Sequence, residues 1–303
     1  MSKMNGLRQY FSYLTIAALA FFIVSCAEET APASIESEEP VEEEVVIEDQ
    51  VHYTIPSPHE TMEFLSSMGK DFHSEVLCNT DIREKFVDLK GKSMGMGIFI
   101  ADLAYCANFE RYQESIKYFG AVIKMSEDIG IGSSFDGSLL ARIENNLTNP
   151  DSLQAISDDS YYRIIGDLEA NDRGKIVGMI AAGGFLESVF IAVQLVDKFD
   201  KDDPVIERIA AQKLVYENIV HYLEQYKQDQ NVEWTLMELE TLQQIFSEVS
   251  DNRRDTEFKE GKSGKRVLGG VGGVYITEQE FEDLRGQITI LRNTITFNPP
   301  LPQ

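Results

Sequence analysis

Asp102 and Glu187 are the residues of this chain best placed to do chemistry. Each is the lone acid in a long apolar run that contains glycine, 92–107 and 176–196, and each has an aromatic residue three positions on, Tyr105 and Phe190. In a helix that spacing puts acid and ring on one side. An unpaired carboxylate in an apolar interior is strongly disfavoured, so acids at such positions must be paired, protonated or functional. If glycines bring the two runs together, the pair could share a proton, hold a cation, or accept a hydrogen bond from Tyr105. Asp102, Tyr105 and Glu187 are therefore the candidate ligand-binding residues. The competing expectation is that each acid hydrogen-bonds a neighbouring helix; the shared site requires carboxyl oxygens within about 6 Å of each other.

The other reactive side chains form no recognisable constellation. His52, His59, His73 and His221 show neither a metalloprotease pattern nor a spacing that stacks two imidazoles on one helix face, so no metal site is expected. Gly261-Lys262-Ser263 lacks the leading glycine of a phosphate loop, since position 256 is Thr, and no strand precedes it. Cys78 and Cys106 could pair in an oxidising compartment, but the apolar surroundings of Cys106 suit a buried free thiol. No catalytic residue and no cofactor is assigned. Arg253, Arg254, Lys259, Lys262, Lys265 and Arg266 make one basic island, interleaved with Asp255, Glu257 and Glu260, and read as a solvated loop or a contact for an acidic surface.

The elements that must position these residues are helices. Only Pro150 and Pro204 interrupt the stretch from Pro58 to Phe297, and each follows a capping side chain, Asn149 or Asp203, as at a helix start. Ser57 with Glu60 and Thr277 with Glu280 read as capping boxes. Apolar stripes at three-four spacing run through Tyr112, Ile116, Phe119 and Ile123; through Leu236, Leu239, Leu242, Phe246 and Val249; and through Phe281, Leu284, Ile288, Leu291 and Ile295. The runs around Asp102 and Glu187 are apolar nearly all round, as in helices at the centre of a domain, and Gly95, Gly97, Gly183 and Gly184 would let two such helices approach closely. The fold class expected is all-α, one multi-helix bundle or irregular array of about 8–10 helices. A small β-hairpin is possible near 266–277, where β-branched runs flank five residues, Gly269 to Gly273, four of them glycine.

The N-terminus reads as an address. A basic start with Lys3 and Arg8, an apolar run from Leu14 to Val24 and a small residue before Cys26 have the layout of a secretory signal, too short to span a bilayer. Ile23-Val24-Ser25-Cys26 looks like a bacterial lipobox, which makes Cys26 the lipidated first residue of the mature protein and the membrane its anchor through acyl chains. Residues 27–50 carry ten acids and no Lys or Arg, a composition that cannot bury a core. The expected organisation is 1–25 signal peptide, 26–52 acidic disordered tether, and 53–303 helical domain with a loop at 251–276. With 27 basic against 51 acidic residues and a formal charge of −24, nucleic acid is excluded as a partner.

Gly97-Ile-Phe-Ile-Ala-Asp102-Leu-Ala-Tyr105, then Tyr112-Gln-Glu-Ser-Ile-Lys-Tyr-Phe, then the stretch from Phe135 to Asn146, together with Ala182-Gly-Gly-Phe-Leu-Glu187, resemble a family of Bacteroidota-type bacterial lipoproteins of uncharacterised function. The resemblance covers most of the chain after about Ile55 and implies a lipid-anchored helical protein of the cell envelope without supplying an activity. The acids close to Cys26 also resemble the export signal of surface-exposed lipoproteins in such bacteria, so an outer-membrane lipoprotein facing either the periplasm or the outside is expected. Two functions are compatible with these readings. One is a non-catalytic interaction or scaffolding domain with a protein partner; the other is a small-ligand or cation-binding module, conceivably enzymatic, built on Asp102 and Glu187.

Overall fold

A computed structural model describes residues 57–132, 149–251 and 274–297, with residues 139, 141, 142, 145, 146, 258–260 and 266–268 between them. Contacts divide the chain into Met1–Gln50 and Val51–Gln303. The expected signal segment, Cys26 and the tether lie outside the described residues, as do Arg253, Arg254, Lys262 and Lys265 of the basic island and most of 133–148.

The second unit is all-α. Among the described residues it holds nine α-helices: α1 (His59–Ser67), α2 (Leu89–Asn108), α3 (Tyr112–Asp128), α4 (Pro150–Ala170), α5 (Gly174–Gln194), α6 (Pro204–Ala210), α7 (Gln212–Glu224), α8 (Gln230–Glu248) and α9 (Glu278–Phe297), with two short 3₁₀ turns at Ser74–Val76 and Thr80–Lys85. Helix starts follow the capping chemistry. Asn149 Oδ1 accepts from Ser152 N and Asp203 Oδ1 from Val205 N, each ahead of a proline in the first turn. Thr277 and Glu280 form a complete capping box, each side chain accepting from the other's backbone N–H at 3.3 and 2.7 Å. At α1 the expected Ser57–Glu60 box does not form; Ser57 Oγ accepts from His59 N at 3.3 Å instead.

α2 and α5 cross at the centre of the domain, and α5 is buried along almost its whole length. By length and composition α5 could cross a membrane, but its apolar window is entirely buried inside the protein. The crossing is close because two glycines stand where backbones meet. A Cβ on Gly97 would lie 2.0 Å from the carbonyl oxygen of Ile180, and one on Gly183 would lie 2.0 Å from that of Met94. Gly95 serves a different neighbour, since its missing Cβ makes room for the ring of Phe86, and Gly184 faces Pro58. α3 and α1 flank α2; α4, α7, α8 and α9 pack on α5.

The stripes of α8 and α9 bury as their spacing predicts, except that Leu236 is only half-buried. α3 departs from expectation. Its deepest seam runs through Ser115, Tyr118, Val122 and Met125, whereas Tyr112, Ile116 and Ile123 are half-buried. Phe119 and Ile123 serve a second, smaller apolar cluster with Leu139 and Ile156, so the helix splits its apolar face between two neighbours. Strand residues occur where expected but pair differently. Arg266–Leu268 is antiparallel to Phe258–Glu260, and Val274–Tyr275 to Ser250–Asp251, so the two pairings are nested and the expected pairing of 266–268 with 274–275 is not made. Burial of Val274 and Ile276 in the core fixes the outer pair at the head of α9.

Candidate functional site

Asp102, from the middle of α2, and Glu187, from the middle of α5, are both completely buried. They meet, as the glycine-mediated crossing requires. Three further groups complete the cluster. Arg292 of α9, 5% exposed, donates to both Glu187 oxygens, Nε to Oε2 at 3.0 Å and Nη2 to Oε1 at 2.9 Å, a bidentate charge-assisted pair. Its Nη2 also donates to the carbonyl of Val76 at 3.2 Å, and its guanidinium lies 4.6 Å from the ring centroid of Phe190, one turn beyond Glu187. Cys78 N donates to Asp102 Oδ2 at 3.2 Å, and Tyr118 Oη donates to the carbonyl of Cys78 at 2.7 Å, so the strap at 76–78 is pinned over the cluster from both sides.

The electrostatics assign one proton. Burial, then the charge of Glu187, push the Asp102 carboxyl well above the usual carboxylate range. Burial also raises Glu187, but Arg292 opposes that shift, and the hydrogen bond from Asp102 opposes it further. Asp102 is thus the protonated acid and donates to the Glu187 carboxylate. Oδ1 of Asp102 is buried and has no N–H or O–H donor from any other residue. For Arg292, burial alone would lower the guanidinium, and the Glu187 charge and hydrogen bonds more than restore it. The result is a neutral acid, a carboxylate and a cation with no net charge, consistent with the rule that buried ions persist when paired and hydrogen-bonded.

A testable pH dependence follows. A carboxyl whose folded pKa lies above its unfolded value contributes stability that is full below about pH 4 and is lost as pH rises through the folded value. Asp102→Asn keeps a neutral donor at every pH. The stability of wild type minus that of Asp102→Asn is expected to fall as pH rises above about 4, by at most about 1.4 kcal/mol per pH unit, measured by urea unfolding. A difference that does not change with pH would show that Asp102 is not protonated in the fold.

Tyr105, expected to serve the acids, is left out of the cluster. Its hydroxyl accepts from His73 N at 2.8 Å, and its ring stacks on Phe72 and packs against Phe109. The three-residue spacing puts it on the Asp102 side of α2, but the ring extends past the cluster to the chain at 72–73. Arg292 is the member that sequence reading missed. It stands four residues after Ile288 and three before Ile295, a lone base on an otherwise apolar stripe, and that position was the available signal.

Cys78 and Cys106 are buried free thiols, both pushed upward by burial first and by the neighbouring acids second. Among the described residues no three His, Cys, Asp or Glu side chains are grouped to hold a metal ion. His59 is buried and its Nδ1 pairs with Asn108 Nδ2, while His73 pairs with Glu75 at the surface. Comparison of the chain with protein-family models, curated proteins and solved structures finds no match, so the reading of this site rests on its own geometry.

Proposed function

We propose that the protein is a lipid-anchored lipoprotein of the cell envelope whose helical domain works without catalysis, as an interaction or scaffolding module for a protein partner. The observation that carries this reading is Arg292: the position beside Glu187 that a bound cation would take already holds a guanidinium in bidentate contact. The acids that looked most like a ligand site are satisfied internally, so the cluster acts as a polar lock between α2, α5, α9 and the 76–78 strap. The cavity described below borders Ser188 but neither Asp102 nor Glu187.

Exposed side chains supply a candidate contact surface. Trp234 is 40% and Met237 61% exposed on successive turns of α8, residue types that anchor protein interfaces. The acidic composition between Cys26 and the domain supports a solvated leash that holds the domain away from the lipid, and the lipoprotein resemblance belongs to this same proposal.

Two measurements test it. Cys26→Ser is expected to abolish incorporation of labelled palmitate and to move the protein from the membrane to the soluble fraction; palmitate retained by the variant would overturn the anchor. Crosslinking in intact cells followed by pull-down of the native lipoprotein is expected to recover a stoichiometric protein that is lost with Trp234→Ala and Met237→Ala at unchanged thermal stability. Recovery of no such protein would overturn the scaffolding role.

A further inference from the structure

We infer that the cleft between α1, α2, α5 and α7 is a binding site for a small amphipathic carboxylate, separate from the Asp102–Glu187–Arg292 cluster. A cavity of about 220 Å³ opens there. An apolar cavity of roughly 150 Å³ holds benzene, so this one accommodates a molecule of roughly nine non-hydrogen atoms. Most of its wall is apolar, with Ile100 from α2, Ile180 and Phe185 from α5 and Leu214 and Ile219 from α7 among the lining side chains. Such a wall, with a few convergent polar groups, is the usual make-up of a small-molecule site.

The polar groups are what identify the ligand. Ser188 is 3% exposed and borders the cavity, yet its Oγ has no hydrogen-bond partner. Arg208, in the last turn of α6, borders it as well; its Nη2 donates to the carbonyl of Glu60 at 3.2 Å and its guanidinium lies 5.4 Å from the centroid of Phe64, while its Nε is buried and unpartnered. Among the described residues no carboxylate forms an ion pair with Arg208.

Buried polar groups are normally satisfied, and two orphaned donors on one cavity call for an acceptor. The acceptor that satisfies a hydroxyl and a guanidinium N–H together, and neutralises the charge, is a carboxylate. Gln212 and Thr61 at the same wall are already paired with each other at 3.5 Å and add polarity without excess charge. Glu60 also borders the mouth but is solvent-exposed, so water screens its charge and it does not repel a ligand held inside. The apolar wall then selects for an aromatic ring or short branched chain behind the carboxylate, as in benzoate or hexanoate.

The test uses the full-length mature lipoprotein in a non-ionic detergent, titrated with benzoate, hexanoate and the uncharged isostere benzamide, and read by calorimetry and thermal shift. Saturable binding of at least one acid with Kd below about 1 mM is expected, with benzamide at least tenfold weaker. Arg208→Gln is expected to weaken the acid at least tenfold and Ser188→Ala roughly fivefold, and Ala181→Leu, which fills the cavity, to abolish binding. Arg208→Gln and Ser188→Ala alter a half-exposed side chain and a single oxygen, so unchanged melting of the ligand-free variants keeps the comparison clean. No saturation by either acid up to about 10 mM, equal binding of benzamide, or indifference to both Arg208→Gln and Ser188→Ala would each overturn the inference. None of these outcomes bears on whether a protein partner is recovered from cells, so the two proposals fail independently.

Discussion

Arg292→Ala is expected to destabilise the domain by about 3–5 kcal/mol, because it leaves the Glu187 carboxylate buried without its cation. In a domain of this size each kcal/mol moves the melting temperature by roughly 2–4 °C, so a fall of about 6–20 °C is expected in thermal unfolding. Glu187 is fully buried, and its only opposition to desolvation besides Asp102 is this guanidinium. Losing Arg292 also removes a donor from the carbonyl of Val76 and a cation from the face of Phe190. The damage has a pH signature. Without Arg292 the folded pKa of Glu187 rises further, so the variant is least impaired at low pH, where Glu187 is protonated in both states, and loses ground as pH rises. The double change Arg292→Met with Glu187→Leu is expected to recover most of the loss, since apolar residues of similar volume substitute well for a buried ion pair. A loss under about 1 kcal/mol for Arg292→Ala would mean that solvent reaches the pair, since exposed ion pairs contribute no more than that.

The second large effect lies at the helix crossing. Gly97→Ala is expected to cost about 3 kcal/mol or more, above the ordinary range for one added methyl group in a core, because the new Cβ meets backbone on α5 at Ile180 O and Gly184 N and no side chain can swing away. Relief requires α2 and α5 to separate, which also pulls Asp102 from Glu187. Chemical denaturation should therefore report a lower midpoint together with a weaker pH dependence. Gly120→Ala in α3 is the control. Nothing lies within 4 Å of its Cβ, so alanine there is expected to stabilise by about 0.5–1 kcal/mol through helix propensity. Equal behaviour of the two variants would show that the crossing is looser than the geometry states.

Much of the helical frame was legible in the chain because its determinants are local. Asn149-Pro150, Asp203-Pro204 and Thr277 with Glu280 act within a few residues of themselves, and each does in the fold what its spacing predicts. The α9 stripe is equally local, since one partner surface faces it throughout. α3 and the strand pairs were not legible to the same degree. The apolar residues of α3 are divided between two clusters, and the partners of Arg266–Leu268 and Val274–Tyr275 lie upstream of the glycine run. Periodicity says that a face is apolar; it does not say how many neighbours share it.

The candidate site divides the same way. Composition alone made Asp102 and Glu187 conspicuous, because an acid in an apolar helix needs an explanation wherever that helix goes, and the glycines indicated how the helices could meet. The chain by itself also determined the acidic balance, 27 basic against 51 acidic residues. The tertiary structure decided what the acids do. Bringing Arg292 from more than a hundred residues away turns a potential ligand site into a neutral internal lock, and turning Tyr105 toward His73 removes it from that site. It also left Arg208 Nε and Ser188 Oγ unpartnered on one cavity, a juxtaposition of residues from separate helices that no spacing in the chain announces. Local sequence sets which groups are costly to bury; only the packing of distant helices sets which partner removes that cost.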